Sequence, residues 1–593
     1  MHQQVLLRPA FLLSLVIVIG LLGAVACGTS PTPTPTNTPV AAATNTPTAT
    51  SAVATPTATS ATKVVATPTA ATVPTPTPVP SVTPKRGGIM RELNTEDPPS
   101  FDPHTAFSAP HNQINAKLYS NLIWTPDSKS FVPDAAQAYE ISGDGLVWTF
   151  HLRPNVKFQT GYTPSGPRDG TAVTAQDVKW SLEKIMGLHS DPVSERVGGM
   201  KEFIDIDRSD NGIEVVDNLT VKVHLVQAYS DFVSVLSLGF AGIVPDGIAT
   251  KDMAKRPYGS GPFFLQNVQR GAQYSFVRNP DYFKPGLPYL DGIVQPIIQD
   301  TSVAQTAFLL NKVDIAGGNP SPSNKPLYDQ KVKSGAIEML TYESGCRPVG
   351  VVMNSTKPPF SDKRLREAVN LAIDRQAYSV VVDNGYDVPG VFLPNSLGKT
   401  VEQVMQLPGY RQPHDADLAQ AKQIVQSLYP NGLDVTAMVR NTGNYPTESE
   451  FVAGELKKIG INLTLQLQDT TVTQNRATKL DYIIWPYLFC NVTNTASELF
   501  GTYFVTGGAR NWFGYSDPKV DAGFRDMAAT SDPVLKKQKA QALEDIVYSF
   551  LPVAPVPGGT STRSSFSYLQ GLSPQAITNY FWMKQELVWR SDV

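Results

Sequence analysis

The distribution of charge is the feature that most constrains how this chain can fold. Residues 1–84 contain only Arg8 and Lys63 as charged side chains, whereas residues 85–593 hold the remaining 47 of 49 basic groups and all 52 acidic groups. A segment with so few charges either is apolar and enters a membrane, or lacks the apolar residues that form a core and stays unfolded. The folded part therefore lies after Pro84, where the chain can form several domains or one large lobed unit. The net charge of −3 gives no electrostatic basis for a nucleic-acid partner.

An apolar run at residues 11–26 follows Arg8 and ends directly before Cys27. It is shorter than the roughly 20 residues that span a bilayer, and its layout is typical of an export signal. Residues 24–27, Ala-Val-Ala-Cys, resemble a bacterial lipobox, whose cysteine becomes the diacylated N-terminus. We predict a signal peptide at residues 1–26 and lipidation at Cys27, with an uncleaved anchor helix as the alternative. Both alternatives place the chain outside the cytoplasm, on a membrane.

The segment from Gly28 to Pro84 consists largely of Pro, Thr and Ala and contains no aromatic residue. It cannot bury enough apolar area to offset the entropy lost on ordering. We therefore predict that residues 27–84 are a lipidated cysteine followed by a disordered, extended spacer.

Local patterns after Pro84 predict interspersed helices and strands. Thr447-Glu-Ser-Glu450 reads as a capping box that opens a helix, Gly460 ends that helix, and residues 461–468 alternate between apolar and polar as in a strand. Thr174 precedes a second amphipathic helix, and residues 213–225 predict a hairpin. Ser361 precedes a third helix, which is expected to end near Asp374-Arg375.

Motifs that would indicate an enzyme or a metal site are missing from the sequence. There is no HExxH, CxxC or GxSxG, and none of the seven histidines has close ligand spacing with another His or Cys. We therefore expect no catalytic residue, no metal and no cofactor. Paired carboxylates of the glycosidase kind are set by spatial separation, so the sequence leaves an exported glycoside hydrolase open as an alternative.

Ten short sequence blocks between residues 87 and 375 carry a resemblance to a known family. The most diagnostic are Trp148–Arg153, Thr174–Val178 and Arg364–Arg375, and an insertion at Tyr162–Arg168 lies between the first two. The other blocks are Gly87–Ile89, Ser100–His104, Pro133–Ala136, Gly259–Phe263, Arg278–Phe283, Val313–Ile315 and Pro358–Asp362. Together they resemble the extracytoplasmic solute-binding proteins of peptide-type ABC importers, solute-binding protein family 5, which includes oligopeptide-, dipeptide- and nickel-binding proteins.

The resemblance implies an α/β fold of two lobes: a periplasmic-binding-protein-like fold of type II, in the large cluster with an extra inserted subdomain. Mixed sheets would be flanked by helices, and a hinge between the lobes would close on the ligand. By analogy, lobe I comprises residues 85–118, 247–345 and 575–593, with an inserted subdomain at 119–246. Lobe II comprises residues 347–574.

The blocks also predict structural roles. We expect Trp148 and Phe150 to face a core, because they alternate with Thr149. Gly259 and Gly261 are expected to mark a tight crossing between the lobes, where a Cβ atom would obstruct the backbone.

The family resemblance implies a ligand cleft near residues 481–494. The candidate ligand-binding residues are Tyr342, Arg347, Trp485, Tyr487, Phe489, Asn491, Asn494 and Trp512. Aromatic faces supply apolar area with defined geometry, and an arginine can bind a carboxylate of the ligand.

Two further positions follow from oligopeptide-binding relatives. Cys346 and Cys490 correspond to bridged cysteines there, which implies a disulfide in this chain; taken alone, the two residues could equally be buried thiols. Val492 stands where those relatives have an Asp that pairs with the α-ammonium group of the peptide. A charged amine beside Val492 would be unpaired at a cost of several kcal/mol, so peptide and non-peptide solutes both stay open.

The sequence thus predicts a membrane-anchored, monomeric receptor that captures a peptide or another small organic solute and delivers it to an ABC permease. A receptor for an oligosaccharide or another non-peptide solute is the first alternative. The exported hydrolase and a sensory or scaffolding subunit are the others.

Overall fold

Helices and strands alternate along the described chain. The computed structural model describes residues 83–98, 100–105, 109–126, 130–162, 164–189, 203–343, 346–382, 389–490, 495–558, 560–572 and 583–593, with the backbone alone at 109, 343, 346–349 and 488–490. Residues Pro80–Val593 belong to one compact unit. The predicted signal peptide, Cys27 and the linker up to residue 82 lie outside the described residues.

The strands are short, and most belong to small sheets. They are β1 Ile89–Arg91, β2 Ile123–Trp124, β3 Val132–Pro133, β4 Ala136–Ile141, β5 Val147–Leu152, β6 Ile213–Asp217, β7 Thr220–His224, β8 Phe263–Gln269, β9 Gln273–Arg278, β10 Gly292–Pro296, β11 Ile315–Gly317, β12 Ile337–Glu343, β13 Cys346–Met353, β14 Leu433–Arg440, β15 Ile461–Gln468, β16 Ile484–Cys490, β17 Val553–Pro555, β18 Thr560–Phe566, β19 Leu569–Gln570 and β20 Trp589–Arg590.

Helices flank these strands. They are α1 Ala109–Leu118, α2 Ala175–Ile185, α3 Phe232–Leu236, α4 Thr250–Met253, α5 Thr301–Leu309, α6 Lys325–Lys333, α7 Lys363–Ala372, α8 Arg375–Val382, α9 Val401–Val404, α10 Asp415–Leu428, α11 Tyr445–Lys457, α12 Thr470–Thr478, α13 Ala496–Leu499, α14 Pro518–Ala529 and α15 Pro533–Phe550, with a 3-10 turn at Gly239–Ala241 and a π turn at Phe500–Phe504. Among the described residues, no helix is long and apolar enough to cross a membrane.

Four sheets organise the fold. The largest has the order β15-β14-β16-β13-β17, with β15, β14 and β16 parallel and β13 antiparallel to β16 and β17; we call the part built on it lobe II. Lobe I contains the sheets β1-β10-β9-β8 and β11-β18-β12, and the inserted subdomain contains β4-β5-β7-β6. The predicted lobe boundaries remain predictions. They place β18 in lobe II, whereas β18 pairs with β11 and β12 in a sheet of lobe I.

Among the described strands, two consecutive pairs belong to different lobes. Strand β12 of lobe I ends at Glu343 and β13 of lobe II begins at Cys346, while β17 of lobe II ends at Pro555 and β18 of lobe I begins at Thr560. A pair of crossing segments lets two sheets rotate as rigid bodies while few dihedral angles change.

The predicted start of helix α2 is confirmed, whereas the starts of α11 and α7 differ from the prediction. Helix α2 starts after Thr174 with a capping box to Asp177. The predicted cap at Thr447 was wrong: α11 starts three residues earlier, after Asn444, because Pro446 occupies the first turn, where its missing N–H costs nothing. Helix α7 is capped by Asp362 rather than Ser361 and ends at Ala372, so Arg375 opens α8 instead of closing α7.

Buried apolar residues confirm the predicted alternation. Trp148 and Phe150 are 4% and 0% exposed on β5. The hairpin forms between β6 and β7. Strand β15 follows Gly460, whose φ of +89° is left-handed and suits a glycine after a helix end.

Gly259 and Gly261 sit at a close backbone approach, but within lobe I. A Cβ atom on Gly261 would lie 2.5 Å from the carbonyl oxygen of Lys117, and one on Gly259 would lie 1.9 Å from that of Leu118. The glycines therefore pack against the carboxyl end of α1, and the expected crossing between lobes was wrong. Sequence alone revealed the need for a missing Cβ but not which backbone lies opposite.

Candidate ligand-binding site

Three parallel strands of lobe II end at one edge of its sheet. Strand β14 ends at Arg440, β15 at Gln468 and β16 at Cys490. Strand β13 begins at the same edge, because Cys346 is the register partner of Cys490, and it arrives there from lobe I. Ligands of open α/β sheets bind at the carboxyl ends of the strands. The candidate site is therefore this edge of lobe II, which we call the cleft edge.

Aromatic side chains are clustered beside the cleft edge. The rings of Trp485 and Tyr487 stack with centroids 4.0 Å apart, and Trp512 lies 5.2 Å from Trp485 and 5.4 Å from Tyr487. Tyr445 stacks on Tyr487 with the ring centroids 5.6 Å apart. Trp485 is fully buried, and Tyr487 and Trp512 are each 3% exposed. The cluster is a rigid apolar wall whose rings mostly cover one another.

Arg440 brings a positive charge to this wall. Its Nε donates to Thr470 Oγ1 at 2.6 Å, and its guanidinium lies 5.2 Å from the centroid of the Tyr445 ring. Its Nη2 faces Glu96 of lobe I at 3.8 Å, which is longer than a hydrogen bond. Burial lowers the pKa of Arg440, but nearby Tyr445, Tyr487 and Glu96 together raise it above the ordinary value, so the guanidinium stays charged.

Several buried polar atoms lie near the cleft edge. In the described part of the chain, the indole nitrogens of Trp485 and Trp512 and the hydroxyl of Ser497 find no hydrogen-bond partner. Buried donors without acceptors are rare in proteins and require an explanation, such as a bound group.

The predicted site residues divide into three groups. Trp485, Tyr487 and Trp512 come together in one cluster. Tyr342 lies on the lobe I side, near the end of β12 and in register with Ser561; burial raises its pKa, while Ser561 and Arg563 lower it. For Arg347 and Phe489 the described backbone shows only that they are register partners on β13 and β16, whereas Asn491 and Asn494 lie outside the described residues.

Sequence reasoning missed Arg440, Tyr445 and Gln474. Gln474 donates to the hydroxyl of Tyr487 at 3.3 Å. Arg440 could have been found, because it is the last residue of a β-rich run and is followed by the polar stretch 441–444. Glu96 carries no comparable signal, since it reaches the site only through the tertiary fold.

One group of side chains away from the cleft edge could hold a metal ion. Ligand atoms of Asp210, Glu214 and His224 lie within 4.8 Å of one another. Arg208 and Lys222 lie against these carboxylates, at 3.0 Å from Asp210 and 3.8 Å from Glu214. The carboxylates are therefore already neutralised by protein cations, and we assign the group to a surface ion-pair cluster.

Two lobes joined by two connections, with a walled edge on one sheet, are the architecture of a solute-binding protein. The family of bacterial extracellular solute-binding proteins, family 5 (middle), matches residues 130–511, so the chain belongs to this family. It is a solute-binding protein of the peptide-type ABC importers, and family membership supports a binding protein rather than an enzyme.

Individual relatives agree with this assignment. The glutathione-binding protein GsiB of Pectobacterium atrosepticum is 25% identical over 470 residues, which cover 76% of this chain and 85% of that protein. Two solved structures share the fold: DppA of Helicobacter pylori in complex with the peptide STSA (TM-score 0.73, 20% identity, 85% of this chain and 98% of that chain) and AgaA of A. tumefacien R10 in complex with agropinic acid (TM-score 0.70, 22% identity, 85% and 99%).

Proposed function

We propose that this protein is the substrate-binding lipoprotein of an ABC importer and captures a small peptide-like solute that carries a carboxylate. Hinge closure then presents the loaded lobes to the permease. The observation that carries the ligand class is the charged Arg440 at the cleft edge, beside the wall of Tyr445, Tyr487, Trp485 and Trp512.

The position of Arg440 favours an anion. Its guanidinium is mostly buried, and the nearest carboxylate, Glu96, stands off at 3.8 Å. A ligand carboxylate between the lobes could accept charge-assisted hydrogen bonds from Arg440, which are about twice as strong as neutral ones. Val492, in the place of the relatives' Asp, argues against capture through a peptide's α-ammonium group.

The relatives' ligands share this chemistry. Glutathione, the peptide STSA and agropinic acid all bear carboxylates, and none is a neutral sugar. The mutual stacking of the rings of Trp485 and Tyr487 leaves little open face for a sugar.

Calorimetry on the purified full chain tests the proposal with glutathione, a tetrapeptide, an opine acid and a maltooligosaccharide as probes. We expect an acid to bind and the sugar not to bind. Arg440→Met should weaken binding of that acid by about 10- to 100-fold, the value of a charged hydrogen bond. The matched control is Arg476→Met, because Arg476 pairs with Asp481 on the same lobe. Binding of the sugar alone, or equal effects of the two substitutions, would contradict the proposed ligand class.

The remaining predictions belong to the same proposal. Cys27 anchors the mature chain, residues 28–84 hold the lobes away from the lipid, and the protein acts as a monomer. Incorporation of labelled fatty acid, lost in Cys27→Ser, checks the anchor. Turnover of a chromogenic glycoside would favour the hydrolase alternative instead.

A further inference from the structure

The inserted subdomain touches lobe II at a place separate from the crossing segments. We call this contact the latch; its residues are Phe203, Tyr229, Ser230 and Asp231 from the subdomain and Phe524, Ala528, Thr530 and Lys536 from lobe II. The backbone N–H of Ser230 donates to the carbonyl oxygen of Ala528 at 3.0 Å. Its hydroxyl lies 3.0 Å from that oxygen and 2.9 Å from the carbonyl oxygen of Thr530. The last carbonyls of α14 lack intrahelical donors, so a serine of one body caps a helix of the other.

An ion pair and three aromatic rings complete the latch. Lys536 Nζ lies 2.5 Å from Asp231 Oδ2 and donates to Ser230 Oγ at 2.9 Å. The two charged side chains are only 15% and 19% exposed, so solvent screens their attraction less than at an open surface. Phe203 stacks on Tyr229 at 4.0 Å and meets Phe524 edge-on at 5.8 Å.

The subdomain is also joined to lobe I, through buried polar groups. Gln159 donates to the carbonyl oxygens of Gly261 and Phe263 at 3.0 and 2.7 Å. Asp134 lies in a buried network with Lys284 and Lys584. The latch consists of buried rings and an ion pair that is 15% and 19% exposed, and a rotation of lobe II away from both lobe I and the subdomain would break it.

We propose that the latch sets the population of the closed form and thereby tunes ligand affinity without touching the ligand. The inference rests on the proposed function as a binding protein. Apparent affinity is the intrinsic affinity scaled by the fraction of molecules in the binding-competent form. Residues of the latch therefore act as positioning residues for closure.

Hydrogen–deuterium exchange on the ligand-free full chain tests the latch. We compare the wild type with Lys536→Met and with Lys537→Met, since Lys537 is the next residue and donates to Ser396 within lobe II at 2.8 Å. In Lys536→Met we expect amides outside the sheets, where Glu96 approaches Arg440, at residues 96, 97 and 442, to exchange about fivefold faster, because their protection follows the closed population. Lys537→Met should leave them unchanged. Faster exchange confined to residues 228–232 and 526–537 would overturn the proposal.

A second variant and a titration separate this proposal from the proposed function. Asp231→Asn should reproduce the effect of Lys536→Met, and the double variant should add little, because both remove the same ion pair. With whichever acid binds the wild type, the dissociation constant of Lys536→Met should rise in inverse proportion to the fraction of molecules that stays closed, and that of Lys537→Met should not change. If no acid binds, the proposed ligand class is wrong. The exchange experiment still tests the role of the latch, because it uses the ligand-free protein.

Discussion

At the scale of single residues, buried charges in lobe I are balanced by several partners at once. Asp134 is fully buried; it lies 2.8 Å from Lys284 Nζ and also pairs with Lys584. Lys284 in turn contacts Glu586 at 2.8 Å, and Glu586 accepts from the hydroxyl of Tyr282. Burial alone would raise the pKa of Asp134, but the two ammonium groups lower it to about 2. The network joins the subdomain to the middle and C-terminal segments of lobe I.

Replacing Asp134 by Asn should therefore leave two buried ammonium groups without their shared carboxylate. We expect a loss of about 3 to 5 kcal/mol in the free energy of unfolding, measured by urea denaturation at pH 7. Because the folded pKa lies below the ordinary value of 3.8, the stabilising effect of the carboxylate is complete above about pH 4 and is lost as the pH falls toward 2.

The wild type and Asp134→Asn should accordingly converge in stability over that acid range. Asp329→Asn is the control, since its pair with Lys325 is about half exposed and contributes at most about 1 kcal/mol. Equal losses in the two variants would show that burial of Asp134 does not matter.

At the scale of elements, glycines decide how closely neighbouring segments approach. Gly261 donates its N–H to the carbonyl oxygen of Leu118 at 2.9 Å, which brings its backbone against the end of α1. Gly454 differs, since it lies exposed inside α11 with no atom within 4 Å of the position of its Cβ. Glycine is therefore required at position 261, where the backbones touch, but not at position 454, where a side chain has room.

Gly261→Ala and Gly454→Ala should change stability in opposite directions. The first forces a methyl group into the backbone of α1 and should destabilise by about 3 kcal/mol, the upper range for overpacking. The second should stabilise by about 1 kcal/mol, since alanine loses less entropy in a helix. Thermal unfolding of the two variants checks the signs; a stabilising Gly261→Ala would contradict the close approach.

At the scale of the whole molecule, the strand that follows lobe I along the chain joins the sheet of lobe II at the cleft edge. Strand β13 enters from lobe I, and the backbone pairs Cys346 with Cys490 directly across from it on β16. This register is compatible with the disulfide that the family resemblance predicts, which would tie the crossing strand to lobe II at the cleft edge.

Peptide mapping without reductant should recover Cys346 and Cys490 in one linked fragment. Reduction should lower the free energy of unfolding by about 2 to 4 kcal/mol, because the bridge closes a long loop in the unfolded chain. The double variant Cys346→Ser/Cys490→Ser should match the reduced wild type, whereas recovery of two separately alkylated thiols would rule out the bridge.

Sequence by itself determined the export-type N-terminus and linker predictions, the family, the two-lobed α/β class, and elements such as α2 and β15, because these depend on composition, short-range hydrogen bonds and periodicity along the chain. Only the tertiary structure showed which distant residues are in contact. It put Gly261 against α1, brought Glu96 within 3.8 Å of Arg440, and joined Ser230 to α14. These contacts link residues that are far apart along the chain. Their energies depend on distance and burial in space, and neither quantity can be read from the spacing of residues in the sequence.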